Sequence, residues 1–253
     1  MPSAGVSQSR TWWMIGGAVA LVALTGCAVS QGSSEASDAD ASASASEPQV
    51  TPTGLPWGPN TAGAVTVGED GSVALGDGSA WSGDTQTTSI DVYYDFACYY
   101  CMLFESTAAE DLADFAADPD VTVTYHPVAI LDAKFPSAYS TRAAASAFVV
   151  AQTAPEIFAT YNDALMMAQQ SLPEDGWTEQ QMAQLALDLG APQETADAIT
   201  GTAFESMVAE ATQAALTGGM TGTPSVAVNG ELIDHEQVNY LEPGALKEYV
   251  ETR

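Results

Sequence analysis

The sequence predicts an α/β domain with a large helical insertion, and three observations support this prediction. A β-prone run from Ile90 to Phe96 leads directly into a helical pattern from Cys98, and Val121 to Tyr125 alternates like a second strand. Residues from about 137 to 217 are rich in Ala, Leu, Met and Gln, which favours about four helices. The chain returns to short β-prone runs at 224–233. A strand, helix, strand order implies a parallel pair joined by a right-handed crossover.

Local signals place the remaining elements. Residues 64–75 alternate like two short strands around an Asp70-Gly71 turn, which predicts a hairpin that opens the domain. Asn229-Gly230 predicts a second hairpin near the end of the chain. Thr178 and Gln181 have the spacing of a capping box at a helix start. A last helix is expected from about Pro243 to Glu251.

Composition and charge exclude several classes of function. The 253 residues carry 33 acidic and 5 basic side chains, a formal net charge of −28, so the surface repels the phosphates that dominate nucleic-acid affinity. A nucleic-acid partner is therefore not expected. The sequence contains neither a P-loop nor a G-x-S-x-G string, and three cysteines with His126 and His235 offer few metal ligands. We expect no metal and no cofactor.

The N-terminal residues have the pattern of an export signal. Arg10 precedes an apolar run from Trp12 to Leu24, which has the length of a signal-peptide core. The run ends in Leu-Thr-Gly-Cys27, which resembles the bacterial lipobox. That resemblance implies a lipoprotein signal peptide over 1–26 and lipidation of Cys27, with palmitate among the acyl groups. The alternative is a plain secretory peptide with an incidental Cys27.

Residues 27–63 are expected to form a flexible tether. After Cys27 they are mostly Ser, Ala, Asp, Pro and Gly, a composition that cannot offset the entropy of ordering. Such a coil spans roughly 30 to 36 Å on average. The folded domain, 64–253, would then lie close to the outer face of a bacterial cell membrane, held there by acyl chains.

Two cysteines carry the chemistry that the sequence predicts. The motif Cys98-Tyr99-Tyr100-Cys101 stands where the first long strand gives way to a helix. Unpaired N–H groups and the helix dipole stabilise an anion there, so Cys98 is the expected nucleophile. Cys101 lies one turn further along the same face, where it can form or resolve a disulfide. A structural clip or half of a zinc site remain as alternatives, because a lone C-x-x-C is weak evidence.

A second motif extends this interpretation. Gly222-Thr223-Pro224 stands immediately before the β-prone run 225–228. Together with the strand and the cysteine pair, it resembles the thioredoxin superfamily, in particular its exported, DsbA-like thiol-disulfide oxidoreductases. The resemblance covers 64–253 and implies a thioredoxin-like fold with a helical insertion at about 137–217. It also implies that Pro224 is cis and faces the cysteines, and that Thr223 offers its backbone to an extended substrate. Tyr99, exposed at the second position of the motif, is a further substrate contact.

The sequence also departs from the family pattern. DsbA has Pro-His between its cysteines, whereas this chain has two tyrosines, which implies a less extreme oxidant. The position of the buried acid of thioredoxin is Val92 here, flanked by Asp91 and Asp95. Asp95 is either an acceptor of the Cys101 proton through a water or an exposed turn carboxylate. His126 is expected to be a hydrogen-bonded histidine at the end of a strand, and the alternative is a histidine that approaches the active site.

The resemblance implies a function. An extracytoplasmic thiol-disulfide oxidoreductase of this kind introduces disulfides into exported, cysteine-containing proteins through its cysteine pair, and a quinone-linked membrane protein reoxidises it. One alternative is a reductase or isomerase that uses the same two cysteines. The other is a non-catalytic, peptide-binding lipoprotein in which the pair is an inert clip.

Overall fold

The computed structural model describes residues 64–76, 88–236 and 238–253. The expected signal peptide, Cys27 and the tether lie outside these ranges. Within them, no helix combines the length and the hydropathy needed to cross a bilayer.

The strands form one mixed sheet with the order β1-β2-β4-β3-β5-β6. Strands β3 and β4 pair in parallel, and the remaining neighbours in the sheet pair antiparallel. The parallel crossover predicted from the sequence is therefore present. The strands are β1 (Ala64–Val67), β2 (Val73–Gly76), β3 (Thr88–Tyr94), β4 (Val121–Pro127), β5 (Ser225–Val228) and β6 (Glu231–Leu232).

Seven α-helices are present in the described ranges, five of them between β4 and β5. Three prolines in the insertion predict four helices, and a further break near Gly201, where no proline stands, makes a fifth. The helices are α1 (Tyr99–Ala117), α2 (Tyr139–Thr153), α3 (Phe158–Met167), α4 (Glu179–Asp188), α5 (Gln193–Ile199), α6 (Glu205–Thr217) and α7 (Ala245–Glu251). Short 3-10 turns cover Asp132–Lys134, Pro155–Ile157 and Ala168–Ser171.

The turn signals in the sequence are present in the structure. Strands β1 and β2 form the opening hairpin, and Gly71 in its turn has φ +76°. Asn229 and Gly230 have φ of 52° and 79°, the two positive values that a type I′ hairpin requires. The capping box at the start of α4 is formed by Thr178 and Gln181.

The core lies between the sheet and the helices on its faces. In β3, Ile90, Val92 and Tyr94 are buried, while the residues between them are partly exposed. Helix α2 is buried along most of its length and packs against the other helices of the insertion. Its alanines allow this close approach, since they occupy little volume. The insertion thereby fixes the connection from β4 to α2, which borders the cysteine pair.

Candidate active site

The cysteine motif occupies the turn from β3 into α1. Strand β3 ends at Tyr94, and the main-chain N–H of Cys98 donates to the Asp95 carbonyl at 2.9 Å. Cys98 is the N-cap residue of α1, in an extended conformation with φ −88° and ψ 117°. The first turn of this helix carries no acidic residue, although the chain is strongly acidic. The N-terminal N–H groups of α1 therefore act on the Cys98 sulfur without a competing carboxylate in that turn.

The two thiols differ sharply in acidity. Both cysteines are free and buried, with 7% of Cys98 and 1% of Cys101 exposed. A hydrogen bond from the Cys101 thiol lowers the pKa of Cys98 to about 5, against the opposing effect of burial; Thr223 and the backbone N–H groups of Cys101 and Tyr100 lower it further. Burial, together with the adjacent Cys98, raises the pKa of Cys101 well above its usual range. The negative charge of the reduced pair therefore lies on Cys98.

The Thr223–Pro224 segment faces this sulfur. The peptide bond between these two residues is cis, as the resemblance implies. The Cys98 sulfur lies 3.3 Å from the Thr223 carbonyl oxygen, and the thiol donates a hydrogen bond to that oxygen when it is protonated. Antiparallel pairing of β5 with β3, with Ser225 opposite Tyr93, brings the start of β5 to the end of β3. The sheet register thus juxtaposes two motifs that are far apart in the sequence.

Tyr240 supports this segment and was not predicted from the sequence. Its hydroxyl donates to the Pro224 carbonyl at 3.0 Å, and its ring packs edge-on against Phe104 of α1, with centroids 5.8 Å apart. One side chain therefore joins the cis-proline segment to the helix that carries the cysteines. Nothing near Tyr240 in the sequence signals this role.

Two exposed aromatic rings stand beside the cysteines. Tyr99 is 54% exposed and Tyr100 is 58% exposed, and their rings make an edge contact at 5.7 Å. The exposure predicted for Tyr99 is present. Among the residues that the structure describes, four large apolar side chains are exposed, and two of them are this pair beside the Cys98 sulfur.

Asp95 is fully buried at the end of β3. Its Oδ1 accepts a hydrogen bond from the Ala97 N–H and its Oδ2 accepts one from the Leu131 N–H, each at 2.9 Å. Burial raises the pKa of this carboxyl to about 6. The alternative of an exposed turn carboxylate is therefore wrong, because the segment after β4 covers the side chain. Proton transfer from Cys101 to Asp95 stays a prediction.

The other polar residues singled out in the sequence lie elsewhere. His126 shares a 2.9 Å hydrogen bond with Asp91 and stacks on Tyr93 with centroids 4.3 Å apart, which confirms it as a hydrogen-bonded strand histidine. Val92, at the position of the thioredoxin acid, is buried in the core. Across 64–76, 88–236 and 238–253, no group of three His, Cys, Asp or Glu side chains is arranged to hold a metal ion.

Two buried acids, one on α1 and one on α3, are not predicted from the sequence. Glu105 lies one turn beyond Cys101 on α1, and its charge acts on Tyr94 and Tyr125. Asp163 of α3 is also buried, and burial raises its pKa to about 7. The i, i+4 spacing of Cys101 and Glu105 is a signal that could have identified the first of these acids.

Comparisons with known proteins agree with this geometry. Residues 89–242 match the family described as the DSBA-like thioredoxin domain, and this match contains both motifs and the insertion. The structure is similar to MdbA, a thiol-disulfide oxidoreductase from Corynebacterium diphtheriae, with a TM-score of 0.61 and 22% identity over 75% of this chain and 93% of MdbA. It is also similar to oxidised DsbA of Mycobacterium tuberculosis, with a TM-score of 0.52 and 25% identity over 68% of this chain and 92% of that one.

A curated relative is much longer than this chain. The serine/threonine-protein kinase PknE of Mycobacterium tuberculosis is 31% identical over 182 residues, which cover 68% of this chain. The matched part is 31% of the kinase, so this chain spans about a third of the length of that relative.

Proposed function

We propose that this chain, which belongs to the family of DSBA-like thioredoxin domains, is a thiol-disulfide oxidoreductase that introduces disulfides into exported proteins outside the cytoplasm. Cys98 and Cys101 are the residues proposed to carry the exchange. The observation that supports the oxidising direction is the difference in acidity within the pair. A pKa of about 5 for Cys98 stabilises the reduced form as a thiolate, and a stabilised reduced form makes the disulfide a stronger oxidant.

The proposed reaction moves two electrons from the substrate to the cysteine pair. A substrate thiolate attacks the Cys98 sulfur, the Cys98–Cys101 bond breaks, and Cys101 leaves as a thiolate. Because its pKa lies well above the usual range, Cys101 then takes up a proton. The second substrate thiolate attacks the substrate sulfur of the mixed disulfide, and Cys98 leaves as a stable thiolate. The products are one substrate disulfide and the reduced enzyme.

Substrate binding is assigned to the surface around the Cys98 sulfur. Thr223 and Pro224 precede β5, and the Thr223 carbonyl lies 3.3 Å from the Cys98 sulfur, which supports pairing of the Thr223 main chain with an extended peptide that approaches the sulfur. Tyr99 adds an exposed aromatic surface beside this path. Main-chain pairing accepts many sequences, which suits an enzyme that acts on cysteine-containing proteins in general.

The proposal includes a membrane location. Residues 1–26 are proposed as the lipoprotein signal peptide, Cys27 as the acylated N-terminus and 27–63 as the tether, on the evidence of the sequence pattern alone. Anchoring at the outer face of the membrane would keep the domain near a quinone-linked membrane protein that reoxidises the pair. A Cys27→Ala substitution tests this directly. The protein should lose palmitate labelling and leave the membrane fraction, and retention in that fraction would contradict the anchor.

The oxidising direction is tested with a reduced peptide that carries two cysteines. The oxidised full-length protein should convert this peptide to its disulfide in a one-to-one reaction, and the Cys98→Ser variant should not. A protein that instead reduces a peptide disulfide, while leaving the dithiol peptide unchanged, would support the reductase or isomerase alternative. Unchanged physiological activity of Cys98→Ser would support the inert clip.

A further inference from the structure

The carboxylate of Asp95 joins two segments that border the cysteine pair. One oxygen accepts a hydrogen bond from the N–H of Ala97, which precedes Cys98. The other accepts a hydrogen bond from the N–H of Leu131, which follows β4. We infer that Asp95 is a positioning residue for disulfide exchange, because it holds the Cys98 turn against the 128–131 segment and so places the Cys98 sulfur opposite Thr223. This inference rests on the proposed function, since it assigns a residue that serves the same two sulfurs.

The 128–131 segment, which Asp95 binds, also contacts β3 and the residues that precede Thr223. The 128–131 segment is tied to the sheet by a 2.9 Å hydrogen bond from the Val128 N–H to the Tyr94 carbonyl. Val128 also packs in a small apolar cluster with Met220. Met220 stands three residues before Thr223, whose carbonyl oxygen lies 3.3 Å from the Cys98 sulfur. A shift of the 128–131 segment would therefore displace both the turn that carries Cys98 and the Thr223 segment opposite it.

The chemistry of this position requires a carboxylate. An ionised carboxylate accepts hydrogen bonds at both oxygens, whereas an amide accepts at one oxygen and presents N–H donors at its other end. Asparagine at 95 would place those donors against the N–H of either Ala97 or Leu131 and break one of the two links. A buried carboxylate is costly to maintain, and an exposed Asn or Ser would suffice for an ordinary turn. The arrangement therefore indicates a role beyond closing the turn.

Charge couples Asp95 to the redox state of the pair. The titratable groups on the elements that border it are Cys98 and Cys101 of α1, Asp132 next to Leu131, and Tyr139 at the start of α2. Asp132 accepts hydrogen bonds of 3.0 and 2.6 Å from Thr141, and burial raises the pKa of Tyr139 above its usual value, so Tyr139 stays neutral. The Cys98 charge raises the pKa of Asp95, and this effect adds to that of burial. Oxidation removes the Cys98 charge and should lower the pKa of Asp95.

The first test compares Asp95→Asn with Asp91→Asn in the full-length protein. Both substitutions remove one carboxylate from the same stretch of chain, but the Asp91 carboxylate binds His126. Asp95→Asn should oxidise the two-cysteine peptide about tenfold more slowly, and Asp91→Asn should match the wild type. In the wild type and in Asp91→Asn, the alkylation rate of reduced Cys98 should show a second inflection near pH 6, which Asp95→Asn should lack. Equal rates and equal pH profiles for the two variants would overturn the inference.

A second measurement uses the wild-type protein, so it decides the matter even if Asp95→Asn does not fold. The amide proton shifts of Ala97 and Leu131 should titrate with one common midpoint, and that midpoint should be higher in the reduced protein than in the oxidised one. Independent midpoints, or a midpoint that ignores the redox state, would contradict the role of Asp95. The wild type could fail to oxidise the peptide while both amides titrate with one redox-dependent midpoint. That result would contradict the proposed oxidising direction and would still support the positioning role of Asp95.

Discussion

The sulfur of Cys98 lies 3.3 Å from the main-chain carbonyl oxygen of Thr223, which is 125 residues away in sequence. The pairing of β3 with β5 creates this contact, and the whole helical insertion lies in the intervening chain. The insertion also touches the site directly, because Gln169 donates to the Ala97 carbonyl at 3.4 Å. The environment of the sulfur therefore depends on sheet register and on the packing of the insertion, as well as on the cysteine motif.

The acidity of Cys98 should depend mainly on Cys101. In a Cys27→Ser background, the alkylation rate of reduced Cys98 should have its midpoint near pH 5, whereas an ordinary thiol titrates near 9. Cys101→Ala removes the hydrogen bond that contributes most to this shift, and the midpoint should rise by about one pH unit or more. A midpoint that does not move would assign the shift to the helix terminus instead.

The same pKa predicts how acid affects the stability of the reduced protein. Because the folded-state pKa of Cys98 lies below the unfolded one, its ionisation stabilises the reduced fold above the unfolded pKa of about 9. This contribution is lost as the pH falls from about 9 to about 5. The Tm of the reduced protein, measured relative to that of the oxidised protein, should therefore decrease over this interval. A difference in Tm that is constant with pH would contradict a stabilised thiolate.

The sequence of the motif should tune the redox potential. Tyr100→His introduces an imidazole at the position where DsbA has one, and its positive charge would further stabilise the Cys98 thiolate. One pKa unit corresponds to about 1.4 kcal/mol, or about 30 mV for this two-electron couple, so the potential should become less negative by about that amount. Tyr100→Phe keeps the ring and adds no charge, and its potential should match that of the wild type. Glutathione equilibria measure both variants.

Much of the fold follows from local signals, and the exceptions have physical causes. Alternation around Ile90 and Val92 and the Asn229-Gly230 turn are properties of neighbouring residues, so the sequence predicts them. The break near Gly201 lacks a proline, so the sequence does not predict it. The burial of Asp95 depends on where Leu131 lies after folding, which no local pattern records.

In the active site, too, the features within one short motif are predictable and the contacts between remote elements are not. Cys98 and Cys101 share one short motif, and their place at a helix start is predictable. The hydroxyl of Tyr240 reaches Pro224 only because the C-terminal segment folds back over α1. Contacts of this kind join elements that are remote in sequence. A single sequence provides no periodicity or spacing from which to infer them.

Two glycines separate the effect of backbone conformation from that of packing. Gly176 has φ +72°, and a Cβ there would overlap the buried side chain of Tyr139. Gly190 has φ +100°, but among the described residues nothing lies within 4 Å of its Cβ position. Gly190→Ala should cost about 1–2 kcal/mol of unfolding free energy from the backbone alone. Gly176→Ala should cost roughly 1–3 kcal/mol more, because the overlap with Tyr139 forces a shift. Denaturant unfolding of both variants measures the difference, and equal losses would mean that Tyr139 moves freely.

The exposed ring of Tyr99 should matter for peptides and not for small thiols. Tyr99→Ser removes aromatic surface beside Cys98 without touching the sulfur, so the KM for the two-cysteine peptide should rise by about three- to tenfold, which corresponds to roughly 0.7–1.4 kcal/mol of contact. The rate of reaction with dithiothreitol should not change, because a small thiol does not reach across to the ring. Leu216→Ser is the matched control, since Leu216 is a similarly exposed apolar residue, on α6, and its loss should leave both reactions unchanged. Parallel losses with peptide and dithiothreitol in Tyr99→Ser would mean that the ring acts on the sulfur itself, and Tyr99 would then have no role in substrate binding.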